Sequence, residues 1–149
     1  MTERDPAQTG ASALAPEPGT DAPICIHPIR VRTEPGEVAR FSRETGGIGT
    51  GDFVPLTFPF RWLGLPAIRG VILQSIGGEG FLPVHEAQSF AYESSLRIDT
   101  DYVLAVEIGS SDKPPRLIVT MVVSTLEGEV CARLETVLRI VRLTQETPS

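Results

Sequence analysis

The stretch RWLGLPAIRGVILQSIGG, residues 61–78, constrains this chain most. Trp62, Leu65, Ile68, Ile72 and Ile76 recur at three- and four-residue steps, and Leu63, Val71 and Leu73 fill the gaps. That is the period of a helix. It is apolar on most of its circumference, so something must enclose it. Gly64, Pro66 and Gly70 interrupt the pattern, so either an irregular first turn or a helix regular only from about Pro66 is expected. Gly77 and Gly78 stop it.

Downstream the period changes to two. DYVLAVEIG puts Tyr102, Leu104, Val106 and Ile108 on one face, and RLIVTMVVST does the same with Leu117, Val119, Met121 and Val123. VCARLETVLRIVRL alternates Val130, Ala132, Leu134, Leu138 and Ile140 against Arg133, Glu135 and Arg139. SSDKPP and LEGE, the latter around Gly128, are turns between long antiparallel strands of a three- or four-strand meander. Upstream, ICIHPIRVRT reads as a short strand, with Pro28 marking an edge or an irregularity. EPGEVARFSRETGG reads as a helix of two or three turns, from Pro35 to Gly46–Gly47. One buried helix and a long antiparallel sheet fit together when the sheet curves around the helix. The expected class is therefore α+β: a hot-dog fold, with one long central helix in a curved antiparallel sheet.

The expected organisation is a disordered N-terminal tail over 1–23, a single hot-dog domain over 24–143 and a short C-terminal tail over 144–149. The tail, MTERDPAQTGASALAPEPGTDAP, is rich in Pro, Ala, Gly, Thr and acid and has no signal-peptide pattern. A formal net charge of −6 argues against sequence-independent nucleic-acid binding. No apolar run is long enough to span a membrane. Cys25 and Cys131 form neither a zinc pattern nor a disulfide framework, which suits a reduced, cytoplasmic protein without a metal.

Three blocks in order, FSRETGGIGTGDFVPLTFPF, VHEAQSFAYESSLRI and LEGEVCARLETVLRIV, carry a resemblance. Together they resemble the MaoC-like hot-dog proteins, and more closely the N-terminal-type half of hydroxyacyl-thioester dehydratases and (R)-specific enoyl-CoA hydratases. The resemblance spans roughly Val31 to Val141, with PLTFP and HEAQSFAY its most specific parts. It implies an acyl thioester on CoA or acyl carrier protein, bound at an interface between hot-dog units, with CoA or phosphopantetheine only as part of the substrate. It also implies reversible hydration of a trans-2-enoyl thioester. Active members carry an Asp and a His five residues apart in a GD-x-N-P-x-H pattern. Here Gly51–Asp52 is followed by neither Asn-Pro nor His, and Thr57 stands at the histidine's place. N-terminal-type halves often lack the pair, so the chain is expected to form a homodimer, or a heterodimer with a second, catalytic hot-dog subunit.

The candidate catalytic residues are Asp52 and His85, and the candidate substrate-binding residues are Thr57 and Gln88. His85 either caps the turn after the central helix or touches substrate. Regular alternation puts His85, Ala87, Ser89 and Ala91 on one face and Glu86, Gln88, Phe90 and Tyr92 on the other. A working His85–Gln88 pair thus needs a bulge, or chemistry divided across an interface. Asp52 is also an ordinary turn residue. Thr57 is a helix-start residue whose backbone amide, or those just after it, is placed to meet a thioester carbonyl. Arg61, Arg69, Arg97 and Arg116 suit either phosphate contact or surface solvation. Cys131, alternating against Ala132, reads as packing. A thioesterase is a second reading, disfavoured because the span from Trp62 to Ile76 has no Asp or Glu. A non-enzymatic binding or scaffold module is a third.

Overall fold

The computed structural model describes residues 22–46 and 51–143. Most of the N-terminal tail and all of the 144–149 tail lie outside that range. Within it run β1 (Ile24–Arg32), α1 (Pro35–Glu44), a 3-10 helix (Phe58–Gly64), α2 (Pro66–Ser75), β2 (Phe81–Tyr92), β3 (Asp101–Asp112), β4 (Pro115–Thr125) and β5 (Val130–Arg142). The strands form one curved antiparallel sheet in the order β1-β3-β4-β5-β2, the expected hot-dog architecture. Only β3, β4 and β5 form a meander. β2 crosses to the far edge and pairs with β5 instead of its sequence neighbour β3.

Alternation built the middle of the sheet. Tyr102, Leu104, Val106 and Ile108 of β3, and Leu117, Val119, Met121 and Val123 of β4, are all buried on the inner face. Ala132 and Leu134 of β5 continue that surface. Onto it pack Ile68, Ile72 and Ile76 from α2 and its end, with Phe58 and Trp62 from the 3-10 segment. Phe58 meets Phe41 and Trp62 edge-on, at centroid distances of 5.3 and 5.8 Å, a favoured aromatic geometry. β1 is the other edge strand, and its register shifts between Ile26 and Ile29, the interval holding Pro28.

Two expectations about the central helix need correction. Its α-helical part is only 10 residues. Pro66 requires an extended residue before it, and Leu65 (φ −63°, ψ 140°) breaks the chain between the 3-10 segment and α2. Nor is the helix enclosed on most sides. Ile68 and Ile72 are buried, whereas Arg69, Gly70, Leu73 and Gln74 are exposed. The sheet covers one side of α2 and leaves the other open.

Thr33, fully buried, ties the end of β1 to the β2–β3 connection. Its hydroxyl donates to the Arg97 carbonyl (2.6 Å) and accepts from the Thr100 amide (3.0 Å). The Tyr102 hydroxyl accepts the Arg97 amide at 2.8 Å in the same connection. Burial raises the Tyr102 hydroxyl above its usual pKa, against the lowering effect of that bond.

Candidate functional site

β2 is where the structure departs most from regular alternation. Its register against β5 runs His85↔Leu138, then Ala87↔Val137 and Gln88↔Thr136, so Glu86 is an extra residue. This is a β-bulge. Leu138 and Thr136 both stand on the inner face of β5, with Ala132 and Leu134. Their partners His85 and Gln88 therefore share that face. The expectation that they point apart is overturned, because one inserted residue resets the two-residue period. A second bulge does the same for Cys131. β4 pairs Val123 with Ala132 and Ser124 with Val130, leaving Cys131 between them and letting both Cys131 and Ala132 be buried.

On the inner face the His85 ring lies against Phe60, with centroids 5.2 Å apart. Phe60 belongs to the 3-10 segment, whose Phe58, Pro59 and Trp62 anchor it in the core. Gln88 accepts the hydroxyl of buried Thr136 through its Oε1 at 2.6 Å. Its Nε2 makes only a 3.3 Å contact to the Ser89 carbonyl, so the amide keeps a donor for a ligand. Tyr92 donates to the Leu56 carbonyl at 2.6 Å and so fixes the loop before the 3-10 segment over the strand. Burial pushes the Tyr92 hydroxyl up to about 12, which keeps it a neutral donor. Leu56 leaves exposed apolar surface beside Tyr92, and Phe60 beside His85, at 58 and 37 %.

On the outer face Glu86 accepts from Arg116 Nε (2.7 Å) and Nη2 (2.9 Å), and from Arg139 Nη2 at 3.3 Å. These contacts, Arg116 first and Arg139 second, lower the Glu86 carboxyl to about 2. Arg116 is thus committed to Glu86, not open to a phosphate. Arg97 stacks over Phe53 at 5.1 Å and Arg61 over Phe58 at 5.1 Å. Arg97 and Phe53 border an open depression of about 1040 Å³ whose rim carries Asp99, Asp101, Glu127 and Glu129. An acidic rim suits an anionic ligand poorly, and neither His85 nor Gln88 lines that space.

The remaining candidates stand elsewhere. The exposed Asp52 accepts the Ile98 amide through its carbonyl at 2.9 Å, past the far end of β2. His85 is seven strand positions before Tyr92, roughly 20 Å at the rise of a β-strand. One chain does not bring Asp52 and His85 together. Thr57 precedes the 3-10 segment as a helix-start residue, without a side-chain capping bond. The next amides are committed, Phe58 N–H to the Pro55 carbonyl and Phe60 N–H to the Thr57 carbonyl, so neither is free for a thioester oxygen. Sequence reasoning passed over Phe60, Thr136, Glu86 and Arg139. For Thr136, Glu86 and Arg139 the signal was register, which a bulge conceals, and Phe60 reaches His85 from outside the sheet. Among the described residues no group of three or more His, Cys, Asp and Glu is placed to hold a metal ion. No helix among them is long and apolar enough to cross a membrane.

No family model and no curated protein matches the chain. Solved structures do. The C-terminally truncated HadBC complex of Mycobacterium tuberculosis, a 3R-hydroxyacyl-ACP dehydratase, is similar with a TM-score of 0.63 and 13 % identity over 80 % of this chain and 96 % of that one. Slr0204, a 1,4-dihydroxy-2-naphthoyl-CoA thioesterase from Synechocystis, gives a TM-score of 0.58 and 13 % identity over 84 % and 88 %. A hypothetical thioesterase with coenzyme A from Streptococcus pneumoniae gives 0.55 and 10 % over 84 % and 86 %. At such identities the likeness is one of fold, and it makes this chain a hot-dog-fold protein. The fold carries both dehydratases and thioesterases, and function is decided by the site rather than the fold.

Proposed function

We propose that the chain is an acyl-thioester-binding hot-dog subunit of the MaoC-like, 3-hydroxyacyl-thioester dehydratase type, working with a second hot-dog chain. The observation that supports this most is the pairing of His85 and Gln88 on the inner face of the edge strand β2, with the exposed Phe60 ring against His85. Apolar surface with a few convergent polar groups suits an acyl chain that ends in a polar thioester. Gln88 Nε2 donates to the thioester carbonyl, and His85 serves as the proton-transfer group. CoA or phosphopantetheine enters only as part of the substrate. The carboxylate that His85 lacks within its own chain comes from a second chain: Asp52 of another copy, or the acid of a catalytic partner. β2 is an unpaired sheet edge with exposed Leu82 and Val84, the kind of strand that proteins cover.

Purified chain, alone and co-expressed with a MaoC-type second chain, is assayed for loss of crotonyl-CoA and for acyl-CoA binding. Turnover in either form that falls by about 100-fold or more in His85→Ala supports the reading, that being the ordinary worth of a general acid–base group. Absence of both turnover and binding in both forms sinks it. The second reading, a thioesterase, rests on the fold it shares with Slr0204 and the S. pneumoniae protein. It is weaker because α2 carries no carboxylate. Release of free CoA, with intact crotonyl groups recovered as the acid, would favour it. Saturable binding with neither reaction would leave a non-enzymatic binding module.

A further inference from the structure

We infer that Glu86, held by Arg116 and Arg139 on the outer face of the sheet, is a positioning residue that keeps the bulge in β2 and thereby sets His85 and Gln88 on one inner face. Three observations carry this. Glu86 is the residue with no partner in the β2–β5 register. Its carboxylate is gripped by Arg116 through two nitrogens and by Arg139 through a third contact. Arg116 and Arg139 are themselves cross-strand partners on β4 and β5, so the grip spans three adjacent strands. A bulge leaves one residue outside the ladder, and a bidentate arginine is the contact that fixes such a residue in direction as well as place.

The consequence reaches the other side of the sheet. If Glu86 instead took a regular place in the ladder, the segments before and after it would share one two-residue period, and one of them would have to turn over. The Gln88–Tyr92 segment is tied down by Thr136 and Leu56. Phe81–His85, at the β2 start, is the segment that would turn. His85 would then leave Phe60 for the outer face. An outer-face ion cluster thus sets the composition of the inner face without touching it. Only the identity of what binds that face rests on the proposed thioester function.

The test uses the full chain with Glu86 deleted, and with Glu86→Ala. The probe is the carbon-bound ring proton resonances of His85, which the Phe60 ring shifts and which Phe60→Leu assigns to that contact. Glu86→Ala, which keeps the extra residue but removes its clamp, is expected to reduce the shift while strand amides beside residue 86 exchange faster. Deletion, which leaves His85, Ala87 and Gln88 in plain alternation, is expected to retain it. Glu135→Ala, on the outer face of β5, is the control expected to leave the shift in place. A His85 resonance unmoved by Glu86→Ala overturns the proposal, and a shift lost in the folded deletion variant overturns it too, because plain alternation already holds His85 and Gln88 on one face. If deletion prevents folding, the point variant decides alone: an unmoved resonance there counts against it. Acyl-CoA binding is measured on the same samples. Wild-type chain that binds no acyl-CoA, with His85 still moved by Glu86→Ala, refutes the thioester reading and leaves the positioning role standing.

Discussion

The middle of the sheet and its β2 edge are made of the same strand geometry and differ in almost everything else. β3 and β4 pair in unbroken register from Tyr102↔Thr125 to Asp112↔Pro115, and every second residue from Tyr102 to Ile108 is buried. β2 carries a bulge, keeps most of its residues exposed and mixes His85, Glu86 and Gln88 with apolar neighbours. Stability resides in the first region. The chemistry proposed for this chain needs the second, where polar groups can reach both an apolar surface and solvent.

The largest contrast should come from truncation in the middle. Leu104→Ala removes a side chain that is fully buried against β4 and the core, so it should cost about 2–5 kcal/mol. Denaturant titration would read this as a lower midpoint. A loss below about 1 kcal/mol would mean that the β3–β4 face is not the rigid half of the molecule. Next is Thr136→Val, on β5 where the regions meet. It keeps the volume but leaves Gln88 Oε1 without its 2.6 Å donor, at a cost of about 1–3 kcal/mol if that oxygen stays buried. Its acyl-CoA affinity should change as well, because Gln88 would be free to rotate. An affinity change without a stability change would place Gln88 wholly on the ligand side.

The same contrast explains what could be read from the chain alone. Alternation over Tyr102–Ile108 and Leu117–Val123 told which side faces inward, because a face buried by hydrophobic residues prints its period on the sequence. Pro66 marked the true start of α2 because its ring dictates the residue before it. Pro28 marked an irregular edge in the same way. Neither bulge was visible: Glu86 and Cys131 have no composition that distinguishes an inserted residue from a paired one, and each moves its neighbours to another face. The exposed half of α2 was misread because Leu73 extended the apolar run, although Arg69, Gly70 and Gln74 mark an open side. Asp52 and Thr57 were chosen by motif position, and the fold puts Asp52 beyond the far end of β2 from His85 and commits the amides after Thr57 to the 3-10 segment.

A smaller effect lies in pH. Arg116 and Arg139 lower the Glu86 carboxyl to about 2 in the folded chain, from an ordinary value near 4.5. A group depressed on folding stabilises the fold above its unfolded value, and that contribution is lost as pH falls toward the folded value. The clamp should therefore be fully present above about pH 4.5 and fade between there and about pH 2. Glu86→Gln should flatten this part of the stability profile, so that its deficit against wild type is full near neutrality and shrinks as pH falls through this range. Asp101, lowered by Arg30 and then Arg32, acts in the same direction, so wild type and variant must be subtracted. A difference profile that is flat through this acid range would remove Glu86 from the clamp.

The smallest effect on the isolated chain should come from the outer side of β2, and it separates the two regions most directly. Val84 is 44 % exposed and stands opposite Arg139, with little to lose on truncation. Val84→Thr should change the stability of the lone chain by no more than about 0.5 kcal/mol, far less than Leu104→Ala. If the β2 edge is where a second hot-dog chain pairs, the same substitution should still weaken assembly. Light scattering across a dilution series would show the dimer dissociating at higher protein concentration than in wild type. A lone chain destabilised as much as by a core truncation would show that β2 is part of the stable half after all. An unchanged dissociation curve would show that β2 is not the pairing edge, and the carboxylate missing beside His85 would then have to enter from another side.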